Sequence, residues 1–221
     1  MVRDRISKEM WEAINEFWLQ VDRHLMAKLA PGRAEEFYSY VHREVALFFG
    51  LTQSTMMRGQ AYGFTALGSL QERADMTARI LDVRYHLLLP DVAMVGSPLD
   101  YYQWGALLRS LSGFESYRRL YQVGISPIDV VEFLVLNPDF PRSLMYCVDG
   151  MDRALQRIDP VRDGKVDACM AALRGHLSGT TPRAILDQGL HEYLDWFLVL
   201  LTDMTNALQG DYFEAHLGEA V

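Results

Sequence analysis

Between Gly68 and Arg79 the chain reads Gly68-Ser69-Leu70-Gln71-Glu72-Arg73-Ala74-Asp75-Met76-Thr77-Ala78-Arg79. Four charges and a threonine stand among the apolar positions of a long helical pattern. Residues three, four and seven apart share one helix face. Glu72, Asp75, Met76 and Arg79 therefore form a stripe, with Arg73 and Thr77 beside it. Carboxylates and guanidiniums at this spacing have two main uses. One is an interhelical salt-bridge network that fixes register without adding much stability. The other is a polar ligand pocket, with Glu72 as general base or amine-binding group. Arg58, Arg73 or Arg79 then holds a carboxylate or phosphate in a two-pronged grip, and Asp75 belongs to the same ligand-binding set. A metal on Glu72 and Asp75 is a third use, and no histidine is placed to help it.

Familiar chemical motifs are absent. There is no GxxxxGK[ST] or GxGxxG loop to cradle phosphates, and no GxSxG elbow. The six histidines form no HExxH and no pair of ExxH units. His191 and Asp195, four apart on a helix, could share a metal, but a surface pair is the plainer reading. The spacing thus implies neither a metal nor a cofactor. Trp11 and Trp18 share a helix face and read as core, as does Trp104. Arg3, Asp4 and Arg5 read as a solvated end beside the first helix. Arg142, after Pro141, reads as a cap or a partner for an acid.

These side chains have to be positioned by helices. The first carries Met10, Trp11, Ile14, Phe17, Trp18, Val21, Leu25 and Leu29 at helical spacing, with Ser7 as cap and Pro31-Gly32 as stop. The second carries Phe37, Tyr38, Val41, Val45, Phe48 and Phe49, and Gly50 follows. A third runs from about 60 to 89, with Phe64, Leu67, Ala74, Thr77, Ile80, Leu81, Tyr85 and Leu88 on its buried side. Residues 90–100 read as a loop. Two shorter helices follow, 101–111 and 115–121, separated by Gly113. Ser126-Pro127-Ile128-Asp129 is a strong helix start, ending at Asn137-Pro138. Further helices are predicted from Pro141 to Ile158 and over 161–177, and one long helix from Thr181-Pro182 to about Leu208. Strand alternation is scarce. The predicted fold is all-α: residues 1–221 as one domain, a bundle of long antiparallel helices with shorter connecting helices.

Composition is ordinary for a globular chain, with 221 residues, 50% hydrophobic and 23% charged. A chain of this size buries roughly 70% of its unfolded surface and needs no staple. A net charge of −8 argues against nucleic acid and against an anionic membrane surface, leaving room only for a local basic pocket. Cys147 and Cys169 lie in helical patterns outside any metal-type spacing and read as buried apolar residues suited to a reducing compartment. The N-terminus lacks the apolar core of a signal peptide, and the longest apolar run is too short to span a bilayer. Cytoplasm is the expected location.

Four segments, in order, resemble the alpha-E family of bacterial helical proteins. They are Asp4-Arg5-Ile6-Ser7-Lys8-Glu9-Met10-Trp11-Glu12-Ala13-Ile14-Asn15; Thr55-Met56-Met57-Arg58 with Gly68 and the run Glu72 to Asp82; Tyr101-Tyr102-Gln103-Trp104-Gly105-Ala106-Leu107-Leu108-Arg109-Ser110; and Pro141-Arg142-Ser143-Leu144. The resemblance covers nearly the whole chain. It implies an all-helical protein whose family glutamate is Glu72. It also implies association with a circularly permuted ATP-grasp ligase, often with a transglutaminase-like protein nearby, and so a role in making or modifying amide bonds in a peptide or small metabolite. Two roles follow: an accessory or docking component, or an enzyme component built on a pocket lined by Glu72 and arginines.

Full-length relatives carry an earlier helical segment with its own GRxxERAE-like motif. This chain starts after it, as a truncated product or a short member. Apolar surface that the earlier segment covers is then expected to be exposed, and to be met by a homodimer or by tight docking on another protein.

Overall fold

The computed structural model describes residues 2–26, 34–88, 98–122, 124–161 and 164–214. Among these there are ten α-helices and no strand. The predicted stop at Pro31-Gly32 lies outside the described residues. So do residues 90–97 of the predicted loop, together with Leu29 and the side chains of Leu25, Tyr85 and Leu88. The chain divides into two compact units, Met1–Gly63 and Phe64–Val221.

The first unit holds a short 3-10 turn, Val2–Arg5, and helices α1 (Lys8–Met26) and α2 (Ala34–Thr55), which pack on each other. Ser7 caps α1 as predicted: its Oγ accepts from the Met10 amide at 3.2 Å. The Thr55 hydroxyl donates to the same Oγ at 2.8 Å, tying the start of α1 to the end of α2. The two tryptophans correct the sequence reading. Trp11 is 39% exposed and Trp18 68% exposed, so their shared face is not core.

Helix α3 (Gln60–Leu88) begins in the first unit and continues through the second. Leu67, Ala74, Thr77, Ala78 and Leu81 are fully buried along one side of it, the side the spacing predicted. The second unit adds α4 (Pro98–Ser110), α5 (Phe114–Leu120), α6 (Pro127–Val131), α7 (Leu144–Ile158), α8 (Lys165–Ser178), α9 (Pro182–Gln188) and α10 (Leu190–Gln209). Residues 98–100, placed in the loop by the sequence reading, form the first turn of α4. The core joins Leu81, Leu108, Val148, Met151, Leu173 and Phe197 from five of these helices, with Phe133 from the turn that follows α6. Two contacts give the orientation of α3 and α10. Gln71 donates to Thr205 at 2.6 Å and Asp82 meets His191 at 2.7 Å, so the two helices run antiparallel.

Capping follows the expected chemistry. Ser126, Ser143 and Thr181 each accept from the backbone amide three residues on, at 3.2, 3.0 and 3.2 Å. Two features depart from the sequence reading. The last predicted helix breaks into α9 and α10 at Gly189, whose φ is +111°. α6 continues through a π-helical turn over Glu132–Leu136, which widens the helix before Asn137.

Gly189 lies in a backbone region closed to side chains, and the Glu192 carboxylate stands where a Cβ would project. Gly189→Ala is expected to lower stability by about 1–3 kcal/mol, read from a urea midpoint at unchanged slope. Gly175→Ala, in open space on α8, is expected to gain roughly 0.5–1 kcal/mol instead. Equal effects at the two positions would refute this account of the break.

Candidate functional site

The charged stripe of α3 faces outward. Glu72, Met76 and Arg79 are exposed and Asp75 is half-buried. Arg79 grips Asp75 with both prongs, Nε to Oδ2 at 2.7 Å and Nη2 to Oδ1 at 2.9 Å. This pair lies within one helix, four residues apart, so it does not set register between helices. The hydrogen bond and charge of Asp75 raise the Arg79 pKa further. An exposed pair of this kind is worth only a few tenths of a kcal/mol. Glu72 forms no ion pair among the described residues. Thr77 is not beside the stripe in any useful sense. It is fully buried on the core side, and its hydroxyl has no hydrogen-bond partner among the described residues.

Arg58 lies in the first unit and is occupied there. Its guanidinium donates to the carbonyls of Thr52, at 3.5 Å, and Gln53, and stacks over the Tyr62 ring at 4.2 Å. The last turn of α2 has no basic residue of its own, so Arg58 supplies both the donors and the charge that its carbonyls attract. Arg109 covers the Phe114 ring at 4.1 Å and Arg3 the Trp11 ring at 5.5 Å. Trp104 is buried, as its spacing predicted.

Arg73 behaves differently from its neighbours on α3. It is half-buried, and its Nη1 donates to the Pro141 carbonyl at 3.1 Å. That carbonyl belongs to a tightly bonded loop. Asn137 Oδ1 accepts from the amides of Asp139 and Phe140 at 2.8 and 2.9 Å, making an Asx turn. Ser143, fully buried, donates to the Asn137 carbonyl while it caps α7. The Cys147 thiol lies 3.8 Å from the same Pro141 oxygen. Burial pushes that thiol up to about 12, although Arg73 and Arg142 both pull it down. It is not a nucleophile at neutral pH. Arg142 has neither of the partners expected of it, since no acid pairs with it among the described residues.

The sequence reading also missed an ion pair. His191 Nδ1 meets Asp82 Oδ1 at 2.7 Å, joining α10 to α3, where spacing had offered Asp195 instead. Asp82 was visible at the end of the family-like run, but its partner stands 109 residues away, beyond any local pattern. Among the described residues no group of three or more His, Cys, Asp and Glu could hold a metal.

The clefts among the described residues include two of some size. One of about 290 Å³ lies between α1 and α2, lined by Ala13, Ile14, Phe17, Val45, Phe48 and Phe49 with Glu44 at its side. The other, about 700 Å³, lies between α8 and α10, with Lys165, Cys169, Asp203, Asn206 and Asp211 among its walls. Asp211 is committed to structure there, accepting from the Val166 amide at 3.1 Å. The Cys169 thiol is pushed up by burial and then by the charges of Asp203 and Asp211. Neither cleft is lined by Glu72, Arg73, Asp75 or Arg79. Among the described residues no helix is long and apolar enough to cross a membrane.

Two predictions follow from this geometry. Thr77→Val removes a buried hydroxyl without a partner and is expected to stabilise the fold by about 1 kcal/mol, measured by denaturant titration. A loss of stability would mean that the hydroxyl is satisfied. The second concerns pH. The hydrogen bond that the His191 ring donates to the Asp82 carboxylate holds the His191 pKa above the usual histidine range. The folded state therefore binds this proton more tightly than the unfolded chain. Its contribution is complete below about pH 6.5 and disappears as pH rises through the raised value. His176 works the other way. Packed against Tyr193 and Trp196, at 4.1 and 3.7 Å between ring centres, it is pushed by burial down to about 4. Its contribution is complete above about pH 6.5 and is lost as pH falls toward that value. Asp82→Asn is expected to flatten only the alkaline side of the stability profile. An unchanged alkaline slope would rule out the Asp82–His191 pair as its source.

Comparison with curated proteins gives no match, and neither does comparison with solved structures. A family model does match, over residues 1–213, and its description names a conserved ER motif. The chain contains one Glu-Arg dipeptide, Glu72-Arg73, so the motif falls on the exposed carboxylate of α3 and on the guanidinium that docks against Pro141. On that match the chain belongs to the Alpha-E family, a predicted alpha-helical domain with a conserved ER motif.

Proposed function

We propose that this protein is a helical docking component of an ATP-grasp-dependent, amide-bond-forming system in the cytoplasm, and that it does no bond-making itself. The observation that supports docking is the outer face of the α1–α2 pair. Trp11, Ile14 and Trp18 on α1 and Tyr38, Val45 and Phe49 on α2 are all exposed. Each set recurs at three, four or seven residues, so each forms one stripe. Ile14, Val45 and Phe49 also line the cleft between the helices, which makes the two stripes continuous. Apolar patches of this kind mark partner surfaces. Large aromatic side chains are the usual anchors of such contacts.

The family resemblance suggests the partner: a circularly permuted ATP-grasp ligase, with a transglutaminase-like protein as a further member. The positions of the charged residues weigh against an enzyme built on Glu72. That carboxylate sits on an open helix surface, Arg79 is held by Asp75, and Arg58 is held by the end of α2. A general base works better in a cleft that excludes water.

The test is purification of the protein from its native host with identification of what co-elutes. An ATP-grasp ligase is expected in near-equal amount. Trp18→Glu is expected to lose the ligase at an unchanged melting temperature, because this side chain is 68% exposed. Glu72→Gln is expected to keep both the ligase and amide product. Loss of product in Glu72→Gln, with ligase and melting temperature intact, would transfer the chemistry to Glu72. A homodimer that recovers no ligase would sink the ligase assignment.

A further inference from the structure

The cleft between α1 and α2 is apolar but for one residue. Ala13, Ile14, Phe17, Val45, Phe48 and Phe49 line it, and the exception is Glu44. The Glu44 side chain is 14% exposed, so it is largely withdrawn from water among aliphatic and aromatic groups. Its cation is Arg43, whose Nε donates at 3.3 Å. That guanidinium comes from the next residue in the chain and is 73% exposed, so water and salt screen the pair. A withdrawn carboxylate is costly unless a cation meets it inside the same low-dielectric space. The cleft therefore offers apolar packing together with one weakly compensated negative charge.

The two helices as a whole have the same sign. Together α1 and α2 carry seven Asp and Glu against three Lys and Arg. A second copy of this chain would bring that excess against itself, whereas a basic partner is attracted by it. Shape narrows the partner further. Among the described residues there is no strand edge for an extended peptide to join. The exposed stripes run from Trp11 to Trp18 and from Tyr38 to Phe49, roughly 10–16 Å along the helices, or two to three turns of a helix laid beside them. A cleft of about 290 Å³ is at the small end for a separate ligand and suits side chains presented by such a helix.

We infer that the α1–α2 face receives a basic amphipathic helix of a partner protein. The apolar ridge of that helix fills the cleft, and a lysine or arginine one turn away meets Glu44. The inference rests on the docking reading of the same face. It adds the chemistry of the partner, a cation set beside apolar anchors, and it sets a second copy of this chain aside.

The test uses the whole protein, two peptides and calorimetry at about 0.15 M salt. One peptide, about 18 residues long, has leucines at three-to-four spacing and lysine elsewhere, and its twin has glutamate for every lysine. The lysine peptide is expected to bind saturably and the glutamate twin not at all. Glu44→Gln is expected to weaken the lysine peptide roughly tenfold, the effect of losing one partly desolvated ion pair. Glu12→Gln removes an equal charge from the exposed Lys8–Glu12 pair outside the cleft and is expected to weaken it far less. Val45→Glu, at an exposed position in the cleft wall, is expected to abolish binding and reports if Glu44→Gln fails to fold. Equal binding of the two peptides, binding of neither, or equal weakening in Glu44→Gln and Glu12→Gln would overturn the inference. So would a stable dimer that the lysine peptide does not dissociate. Binding as expected, in a protein that recovers no ATP-grasp ligase from its host, would keep the inference and remove the ligase. A ligase that co-elutes and is not displaced by the lysine peptide would do the reverse.

Discussion

The second unit depends on how Leu70 of α3 seats against Gly150 of α7. A Cβ at Gly150 would meet the Leu70 side chain at 2.8 Å, so the glycine makes the room that this leucine occupies. Ala74 on one helix and Cys147, Val148 and Met151 on the other are buried in the same core. Small residues at the contact and larger ones around it are what a dense interior needs. One turn along α3 from Leu70, Arg73 meets the Pro141 carbonyl.

The two units are built on different terms. The second has a continuous core from α3 to α10, with whole aromatic rings such as Tyr117, Phe133, Tyr193 and Phe197 fully enclosed. The first encloses far less: among the described residues its buried side chains are Met10, Thr52 and Met56. Its apolar residues are as large as those of the second unit but remain on the outside. Burial is worth about 25 cal/mol per Å² of apolar surface, and the α1–α2 pair has not collected that gain within its own unit. An incomplete hydrophobic face is therefore its most distinctive physical property.

This contrast explains what was legible in the sequence. Helix positions and caps were, because a Ser or Thr before Pro, and apolar residues at three-to-four spacing, act locally. Ser126, Thr181 and the buried side of α3 all appear where local rules put them. Trp11 and Trp18 were misread because periodicity reports that a helix has an apolar face, not what covers it. The break at Gly189 was hidden because the apolar pattern runs straight through it. The π-helical turn left no trace either, since Phe133, Leu134 and Val135 are apolar in either geometry. At the site, spacing marked the charged stripe of α3 and placed Arg73 beside it. It could not show that Asp75 would satisfy Arg79 on the same helix, that Arg58 would close the end of α2, or that Arg73 would reach the Pro141 carbonyl.

Those separate outcomes change how the Glu72-Arg73 motif is understood. A charged stripe on a helix looks like one functional unit, yet its members divide between two surfaces. Glu72 and the Asp75–Arg79 pair face water, where charge is cheap and interactions are screened. Arg73 turns toward the α7 loop, where the same charge is expensive. In a chain with net charge −8, carboxylates are plentiful, and an arginine retained for stability alone would be expected to find one. Arg73 meets a backbone carbonyl instead. The Asx turn at Asn137 and the Ser143 cap fix the loop that carries this acceptor, so the arginine of the motif ties α3 to the start of α7 without a carboxylate.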